Sequence, residues 1–376
     1  MPSNHDERIH TEELIPNIRA WSHTANAVEL PDGRLFLVWS AGQFEESEDM
    51  VVAGAVREVD GTWQPSRVVV DRFDMDGETW IPWCPIILQA ADGDLHVFCM
   101  GNPRSKYVYV DQPRSLVRAG WQLGDDADNR MLHVRLKDFA ADHARIVLPD
   151  EGGVNTQGTP LHLESGGWIV PFDNMHTRHC HFLHLDEKLE SYENRGDLDI
   201  DPGVLEPSIV QLGDGRILCY LRFWPSWNWG KAVKGEAIQG HVVKTVSDDD
   251  CRTFSAPVVT NLRNPNSGVD IKVSRSGKLL ITYNDSYALR LPLCVGISND
   301  MGKTFRVRDV ETGLSEPHYG WSFANYMYNC HAYPKLLQTR DNTWHLFYTH
   351  RYDCIKHVWF DESWLEGGRL VAGLDE

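Results

Sequence analysis

Acidic, basic and imidazole side chains stand where the apolar runs of this chain begin or end. Glu206 opens one such run, Arg222 closes the run that follows it, and Arg290 precedes a later one. Two guanidinium groups can hold a carboxylate through charge-assisted, forked hydrogen bonds. His23 and His331 add imidazoles, which titrate near neutral pH and can serve in acid–base chemistry. These residue types predict chemistry on a small acidic molecule.

Six apolar hairpins position these side chains. Each hairpin breaks at a tight polar turn whose Gly or Asn accepts a positive φ. The hairpins span 27–39, 86–98, 161–170, 209–221, 271–283 and 335–348. The turn residues, which recur at intervals of 60, 73, 49, 62 and 65, are Gly33, Gly93, Gly166, Gly215, Gly277 and Asn342. Repetition on this scale predicts a radial array of small sheets.

A third apolar strand follows each hairpin, and a short fourth strand often follows the third. The third strands are predicted at 50–59, 131–139, 180–186, 240–249, 293–300 and 355–362, and fourth strands at 256–260 and 305–310. The fold class is therefore all-β, a six-bladed β-propeller with four-stranded antiparallel blades, rather than a β-sandwich or β-helix. One domain is predicted over 1–376, with blades at about 20–70, 78–150, 154–200, 203–262, 264–312 and 325–370. The N-terminal residues are expected to close the ring on the sixth blade.

Strand polarity gathers one set of polar residues at a single rim, because first strands start and second strands end on the same face. The predicted catalytic residues are Glu206, His331, His23 and Glu45. The predicted substrate-binding residues are Arg222, Arg290, Trp83, Trp227, Asp173, Gln157, Asn266, Asp270 and Arg351. Further residues of this rim are Glu46, Trp80, Thr156, His176, Trp224, Trp229, Asn329 and His350. Each of these residues could instead have a structural role. The arginines could form salt bridges between blades, Glu206 could hydrogen-bond Arg222, and the histidines could donate to nearby carbonyl groups.

Composition narrows the partners. The formal net charge of −18 makes nucleic acid and anionic membranes poor partners. The first 17 residues are polar and acidic, unlike a secretory signal, and eight scattered cysteines without CxxC spacing predict free thiols in a cytoplasmic protein. His179 and His181 could chelate a metal from one strand face, but solvent-facing histidines are the preferred interpretation. No metal and no cofactor are expected.

Two short motifs lie between third and fourth strands. Residues 298–305 read SNDMGKTF, which fits the Asp-box pattern S-x-D-x-G-x-T-F, and residues 247–254 read SDDDCRTF, with Cys251 in place of the glycine. The Asp of such a turn bonds backbone amides, so the motif is structural. On these motifs, and on 205–222, the run NPNSG and the ending IKHVWFDESWL, the chain resembles the sialidase-like (BNR repeat, neuraminidase) propellers across nearly its full length.

The resemblance implies a site with three clamp arginines, a tyrosine nucleophile, a glutamate that activates it and an acid/base aspartate. Glu206 matches the activating glutamate, and Arg222 and Arg290 match the second and third arginines. The first arginine is replaced in the stretch Ser22-His23-Thr24, with Arg19 too early in the chain. The tyrosine position falls near His331, with Tyr328 and Tyr333 as shifted alternatives. The aspartate has no clean match, and the candidates in that loop are Glu45, Glu46 and Asp49.

These departures make hydrolysis of sialic acid the less favoured activity. The resemblance and the two arginines predict an exo-acting glycosidase on a short acidic oligosaccharide of the uronic-acid type. The first alternative is a uronic-acid lyase, in which a histidine base removes a proton while arginines neutralise the carboxylate. The second is a glycan-binding propeller without activity. The tryptophans of the loop 223–231 are expected to stack on sugar.

Overall fold

The computed structural model describes residues 9–110, 120–123, 127–200, 203–223, 240–287, 289–312 and 330–374. Six antiparallel sheets follow one another along the chain, as the hairpin repeat predicts. Blade one contains β2 (Trp21–Glu29), β3 (Leu35–Gly42), β4 (Val51–Arg57) and β5 (Arg67–Val70). Blade two contains β6 (Phe73–Met75), β7 (Glu78–Gln89), β8 (Leu95–Pro103), β11 (Arg130–Lys137) and β12 (Ala140–Val147), with a separate hairpin of β9 (Tyr107–Val110) and β10 (Gly120–Leu123) after a 3₁₀ turn at Arg104–Lys106.

The remaining blades repeat this order. Blade three contains β13 (Val154–Asn155), β14 (Leu161–His162), β15 (Trp168–Asn174), β16 (Cys180–Leu185) and β17 (Tyr192–Leu198). Blade four contains β18 (Val204–Gln211), β19 (Ile217–Phe223), β20 (His241–Ser247) and β21 (Val258–Arg263). Blade five contains β22 (Asp270–Val273), β23 (Leu279–Asn284), β24 (Leu293–Ser298), β25 (Thr304–Glu311) and β29 (Arg369–Ala372). Blade six contains β26 (His331–Gln338), β27 (Trp344–His350), β28 (Cys354–Phe360) and β1 (Ile9–Ile15).

Both ends of the chain serve as outer strands. β1 pairs antiparallel with β28, so the N-terminal segment closes the ring on blade six as predicted. After β28 a helical turn, Glu362–Glu366, leads the chain to β29, which pairs with β25. The predicted sixth blade, 325–370, therefore runs too far, because its last residues belong to a fifth strand of blade five.

The hairpin turns have the geometry that their sequence predicts. Gly33 has a φ of 88° and Asn342 a φ of 68°, which is the left-handed region these residue types tolerate. Beside Gly33, the amide of Leu30 donates to the carbonyl of Arg34 at 2.8 Å, and Asp32 accepts the Arg34 amide at 3.1 Å. These contacts end β2 and start β3 at one end of the blade.

The Asp boxes form the same kind of turn in blades four and five. Asp300 accepts hydrogen bonds from the Thr304 amide at 2.9 Å and the Thr304 hydroxyl at 2.6 Å. Asp249 accepts the equivalent pair from Thr253 at 2.8 and 2.6 Å. Cys251 adopts a φ of 67° where the other box has glycine, so the turn survives the substitution.

A hydrophobic core joins each pair of neighbouring blades. Blades four and five, for example, share a cluster that contains Tyr220 and Tyr283, and blades six and one share one that contains Trp39 and Phe347. All eight cysteines are free and seven of them are buried, as expected from their positions in strands. In the described part of the chain, no helix has the length and apolar character needed to span a membrane.

Candidate active site

A bulge at the start of the inner strands aims side chains toward the propeller axis. Glu206 and Tyr333 have φ values of 56° and 52°, and the strand pairing shifts register at both positions. Thr24 and Cys84 repeat this conformation in blades one and two, with φ values of 53° and 51°. All four residues lie nine positions before the hairpin turn residue of their blade. Bulges of this kind redirect a side chain and occur beside active sites.

Glu206 and Tyr333, from blades four and six, meet at hydrogen-bond distance. The Tyr333 hydroxyl donates to Glu206 Oε1 at 3.1 Å. Arg222 Nη1 donates both to Glu206 Oε1 and, at 2.7 Å, to the Tyr333 oxygen. All three side chains are buried. Burial raises the pKa of Tyr333, which the neighbouring Arg222 opposes, so the phenol carries its proton at neutral pH. Glu206 is placed to accept that proton.

The two predicted arginines line one side of this pair. Arg222 Nε donates to Asn266 Oδ1 at 2.7 Å, and Arg290 Nη2 donates to the Asn266 carbonyl at 3.2 Å. The guanidinium of Arg290 lies 5.1 Å from the centre of the Tyr333 ring, and that of Arg222 lies 5.9 Å from it. Arg290 Nη1 also donates to the Tyr352 hydroxyl at 2.9 Å. Asn266 thus holds two cations beside the Tyr333–Glu206 pair.

His23 occupies the position at which the resemblance implies the first arginine. Its ring contacts Tyr333 edge-on at a centroid distance of 4.3 Å, and a 2.9 Å hydrogen bond joins its Nδ1 to the Thr349 hydroxyl. Burial, followed by the charges of Arg290 and Arg222, holds the pKa of His23 well below its ordinary value. The imidazole is therefore neutral at pH 7, and this corner of the site lacks the third positive charge.

Glu45 supplies the carboxyl group of the blade-one loop. Glu45 is exposed to solvent at the mouth of the site. Desolvation by the protein around it raises its pKa, and the charges of Arg290 and Arg222 oppose this shift. Its neighbour Asp49 instead braces its own loop, where it accepts the Ser47 hydroxyl at 2.6 Å. Asp49 also faces the half-exposed Arg19 at 4.0 Å.

Asp173 contacts the Tyr333–Glu206 pair through the backbone of Glu206. Its Oδ1 accepts the backbone amide of Glu206 at 2.9 Å and the side-chain amide of Asn155 at 3.2 Å. Burial, and then the charge of Glu206, raises the pKa of Asp173 to about 8. The side chain is fully buried, so Asp173 holds the bulge at Glu206 and the structure gives it no path to substrate.

Two other predicted substrate contacts also lie beneath the site. Asp270 is fully buried and accepts the hydroxyls of Thr159 and Ser208 at 3.0 and 3.1 Å, together with the Leu336 amide at 2.9 Å. It joins blades three, four, five and six. The side-chain amide of Gln157 donates to Cys84 Sγ at 2.9 Å and links blades three and two. Both residues therefore connect neighbouring blades of the propeller beneath the candidate active site.

His331 and Arg351 lie apart from the pair. The assignment of the tyrosine position to His331 is wrong, because Tyr333 is the residue that reaches Glu206. The bulge at Tyr333 breaks the strand alternation, and the ring of His331 packs against His350 at a centroid distance of 4.7 Å. Arg351 follows His350; burial lowers the pKa of both histidines, and the charge of Arg351 adds a smaller effect in the same direction.

Among the remaining predicted residues, one is buried near Tyr333 and five lie outside the described part of the chain. Trp83 is buried in an axial apolar cluster that also contains Tyr333 and Tyr352. The others lie outside the described residues, namely Trp224, Trp227, Trp229, Tyr328 and Asn329. His179, one of the two histidines considered for a chelate, bonds Asp197 through its Nδ1 at 2.7 Å.

Comparison with known proteins places this geometry in a family. The model of the BNR repeat-like domain matches residues 33–346. The chain belongs to the BNR repeat-like family. A search of curated proteins finds no match.

Solved structures with the same fold are similar over most of the chain. A Dyadobacter fermentans protein of unknown function has a TM-score of 0.69 at 12% identity, covering 94% of this chain and 98% of its own. The NanB sialidase of Streptococcus pneumoniae has a TM-score of 0.67 at 11% identity, covering 95% and 71%. The intramolecular trans-sialidase of Ruminococcus gnavus has a TM-score of 0.66 at 13% identity, covering 93% and 96%. These structures share the sialidase-like propeller fold with this chain.

Proposed function

We propose that this BNR-family protein is an exo-acting glycosidase for a small acidic saccharide. The observation that carries the proposal is the contact of the Tyr333 hydroxyl with Glu206 Oε1 at 3.1 Å, beside Arg222. A buried phenol is a poor nucleophile until a base takes its proton. The sialidases to which the chain is similar in fold make the same reaction class a reasonable expectation.

The chemistry follows from these positions. As Tyr333 Oη forms a bond to the anomeric carbon, its proton passes to Glu206 and the bond to the leaving oxygen breaks. Glu45 protonates that oxygen, a role for which a raised pKa suits a carboxyl group. Water then attacks the anomeric carbon with Glu45 as base, and the phenol recovers its proton from Glu206. Two displacements give net retention of configuration.

The positive charges indicate an acidic sugar. Arg222 and Arg290 face the Tyr333 ring from 5.9 and 5.1 Å, in an otherwise acidic protein. A carboxylate held by both guanidinium groups would sit next to the nucleophile. Sialosides were disfavoured because a tyrosine nucleophile and one clamp arginine were missing from their expected positions. Tyr333 supplies a tyrosine, but the neutral His23 still stands in place of the arginine. We therefore expect uronides to be preferred, with sialosides as the decisive comparison.

A panel of glycosides with product masses tests the proposal. It should contain uronides, sialosides and neutral glycosides of one common leaving group. We expect turnover of an acidic class, with products that together gain one water. Equal turnover of neutral glycosides would refute the acidic specificity. Products without added water, accompanied by ultraviolet absorbance from a new C=C bond, would identify a lyase, and binding without turnover a glycan-binding propeller.

Two variants test the roles of the pair. Tyr333→Phe and Glu206→Gln should each lower kcat/KM by about 10³-fold or more. Tyr220→Phe is the matched control, because Tyr220 is a buried tyrosine whose hydroxyl has no partner among the described residues. A fluorinated, slowly hydrolysed substrate should add one sugar mass to the wild-type chain at Tyr333. Full activity in Tyr333→Phe would exclude Tyr333 as the nucleophile.

A further inference from the structure

Three potential metal ligands converge at the rim between blades five and six. Glu311 ends β25, His331 starts β26 and His350 ends β27. One ligand atom from each residue lies within 4.8 Å of the other two. His331 and His350 face each other across one hairpin of blade six, whereas Glu311 comes from blade five, so no local sequence motif identifies the cluster.

The histidines present unsatisfied nitrogen atoms to this cluster. Among the described residues, neither His331 Nδ1 nor His350 Nδ1 has a hydrogen-bond partner, and His331 is only 2% exposed. His350 Nδ1 lies 3.7 Å from Glu311 Oε1, which is too long for a hydrogen bond. Burial lowers the pKa of both histidines to about 4. Each histidine also keeps an imidazole nitrogen that no described residue satisfies.

Two neighbouring side chains orient the carboxylate of Glu311. The Tyr348 hydroxyl donates to Glu311 Oε1 at 2.7 Å, and Lys356 Nζ donates to the same oxygen. A carboxylate has further lone pairs for a metal ion while it accepts such bonds. The Lys356 ammonium neutralises Glu311 when no ion is bound and competes with a cation for it.

We propose that Glu311, His331 and His350 bind one divalent transition-metal ion, with Zn²⁺ the best fit to two imidazoles and a carboxylate. Such a donor set leaves a fourth position for water. Tetrahedral bonds of about 2.0–2.2 Å put neighbouring ligand atoms about 3.4 Å apart. Small side-chain rotations therefore suffice to close the cluster around an ion.

The proposed ion would connect directly to the candidate active site. The His331 amide donates to the Arg290 carbonyl at 3.3 Å, and the adjacent Cys330 Sγ lies 3.7 Å from Arg290 Nη1. An ion at this position would link β25 of blade five to β26 of blade six. It would thereby stabilise the backbone that carries Arg290. The site itself does not depend on the glycosidase proposal.

Calorimetric titration with Zn²⁺ tests the site in the full chain after treatment with a chelator. We expect one equivalent per chain, and Co²⁺ should give the visible absorption of a tetrahedral complex. His331→Asn and His350→Asn should each weaken binding by about 100-fold or more. Lys356→Met should tighten it, because a competing cation is removed.

His179→Asn is the control, since it removes a histidine paired with an aspartate elsewhere on the surface. Thermal unfolding of every variant verifies that it is folded. Absence of stoichiometric binding by the wild-type chain would overturn the proposal, whatever the variants do. Equal binding by His331→Asn, His350→Asn and the control would overturn it too, because the ion would then lie elsewhere.

Discussion

Replacement of Gly268 by alanine would place a methyl group against the carboxylate of the candidate active site. A Cβ atom at this position would lie 2.9 Å from Glu206 Oε2 and 3.1 Å from Tyr333 Cδ1. Ordinary carbon contacts begin near 3.4 Å, so at least one partner must move by about 0.5 Å. Glu206 cannot retreat easily, because Arg222 and Tyr333 bind its other oxygen.

The size of the effect follows from this overlap. Overpacking of a rigid interior costs about 1–3 kcal/mol, which should appear as an equal loss in the free energy of unfolding. A displacement of about 1 Å in an active site can lower the rate about 100-fold, so half that displacement should lower kcat/KM roughly tenfold. The loss should fall mainly on kcat, since the change displaces Tyr333 and Glu206, the proposed nucleophile and its base.

Urea unfolding and turnover of the preferred acidic glycoside measure the two effects. Gly213→Ala is the matched control, because a Cβ there meets no heavy atom within 4 Å. We expect the control to match the wild-type chain in both assays. If Gly268→Ala behaves like Gly213→Ala in stability and in kcat/KM, then Glu206 and Tyr333 are not confined as described and the reasoning fails.

Two further substitutions compare a residue that stabilises the candidate active site, Asp173, with one that stabilises only a turn of the fold, Asp300. Asp173→Asn should flatten the pH dependence of stability. Burial raises the pKa of Asp173 from an ordinary 3.8 to about 8, so its contribution to stability is complete below about pH 4 and is lost as the pH rises through 8. The slope of this loss is at most about 1.4 kcal/mol per pH unit. Urea unfolding across that range measures it, and an unchanged slope in the variant would contradict the assignment. Asp300→Ala should lower the free energy of unfolding by about 1–3 kcal/mol through the lost bonds to Thr304, with kcat/KM unchanged. Burial raises the pKa of Asp300, but hydrogen bonds from Thr304 and Ser298 outweigh this and lower it to about 2. The wild-type advantage should therefore be present above about pH 4 and disappear as the pH falls toward 2, and a loss of activity at neutral pH in a folded variant would contradict a purely structural role.

The blades could be predicted from the sequence because each is a local event. A hairpin needs two apolar runs and a turn residue that accepts positive φ, and Gly33 and Asn342 meet that need within a few residues. The same regularity holds a signal for the site. Counting nine residues back from each turn finds Glu206 and Tyr333 together with Thr24, Cys84, Gln157 and Gly268.

The sequence pointed to His331 as the residue of blade six that meets Glu206, and the structure places Tyr333 there. His331 and Tyr333 are two positions apart, so simple strand alternation places both on one face. The bulge at Tyr333, with a φ of 52°, sends the tyrosine to Glu206 and leaves His331 beside His350. Asp173 and Asp270 were likewise predicted as substrate contacts, but both side chains are fully buried. The blades converge toward the axis, and the residues that lie deeper along it are covered by their neighbours.

The sequence by itself determined the six hairpins, the two Asp boxes and the polar character of one rim, because these depend on residues close together in the chain. Which of the rim residues meet depends on how the blades pack around the axis. The contacts of Glu206 with Tyr333 span 127 positions, and Glu311 reaches His331 and His350 from another blade. Such contacts follow from ring closure and from the depth of each side chain along the axis, which no local pattern encodes.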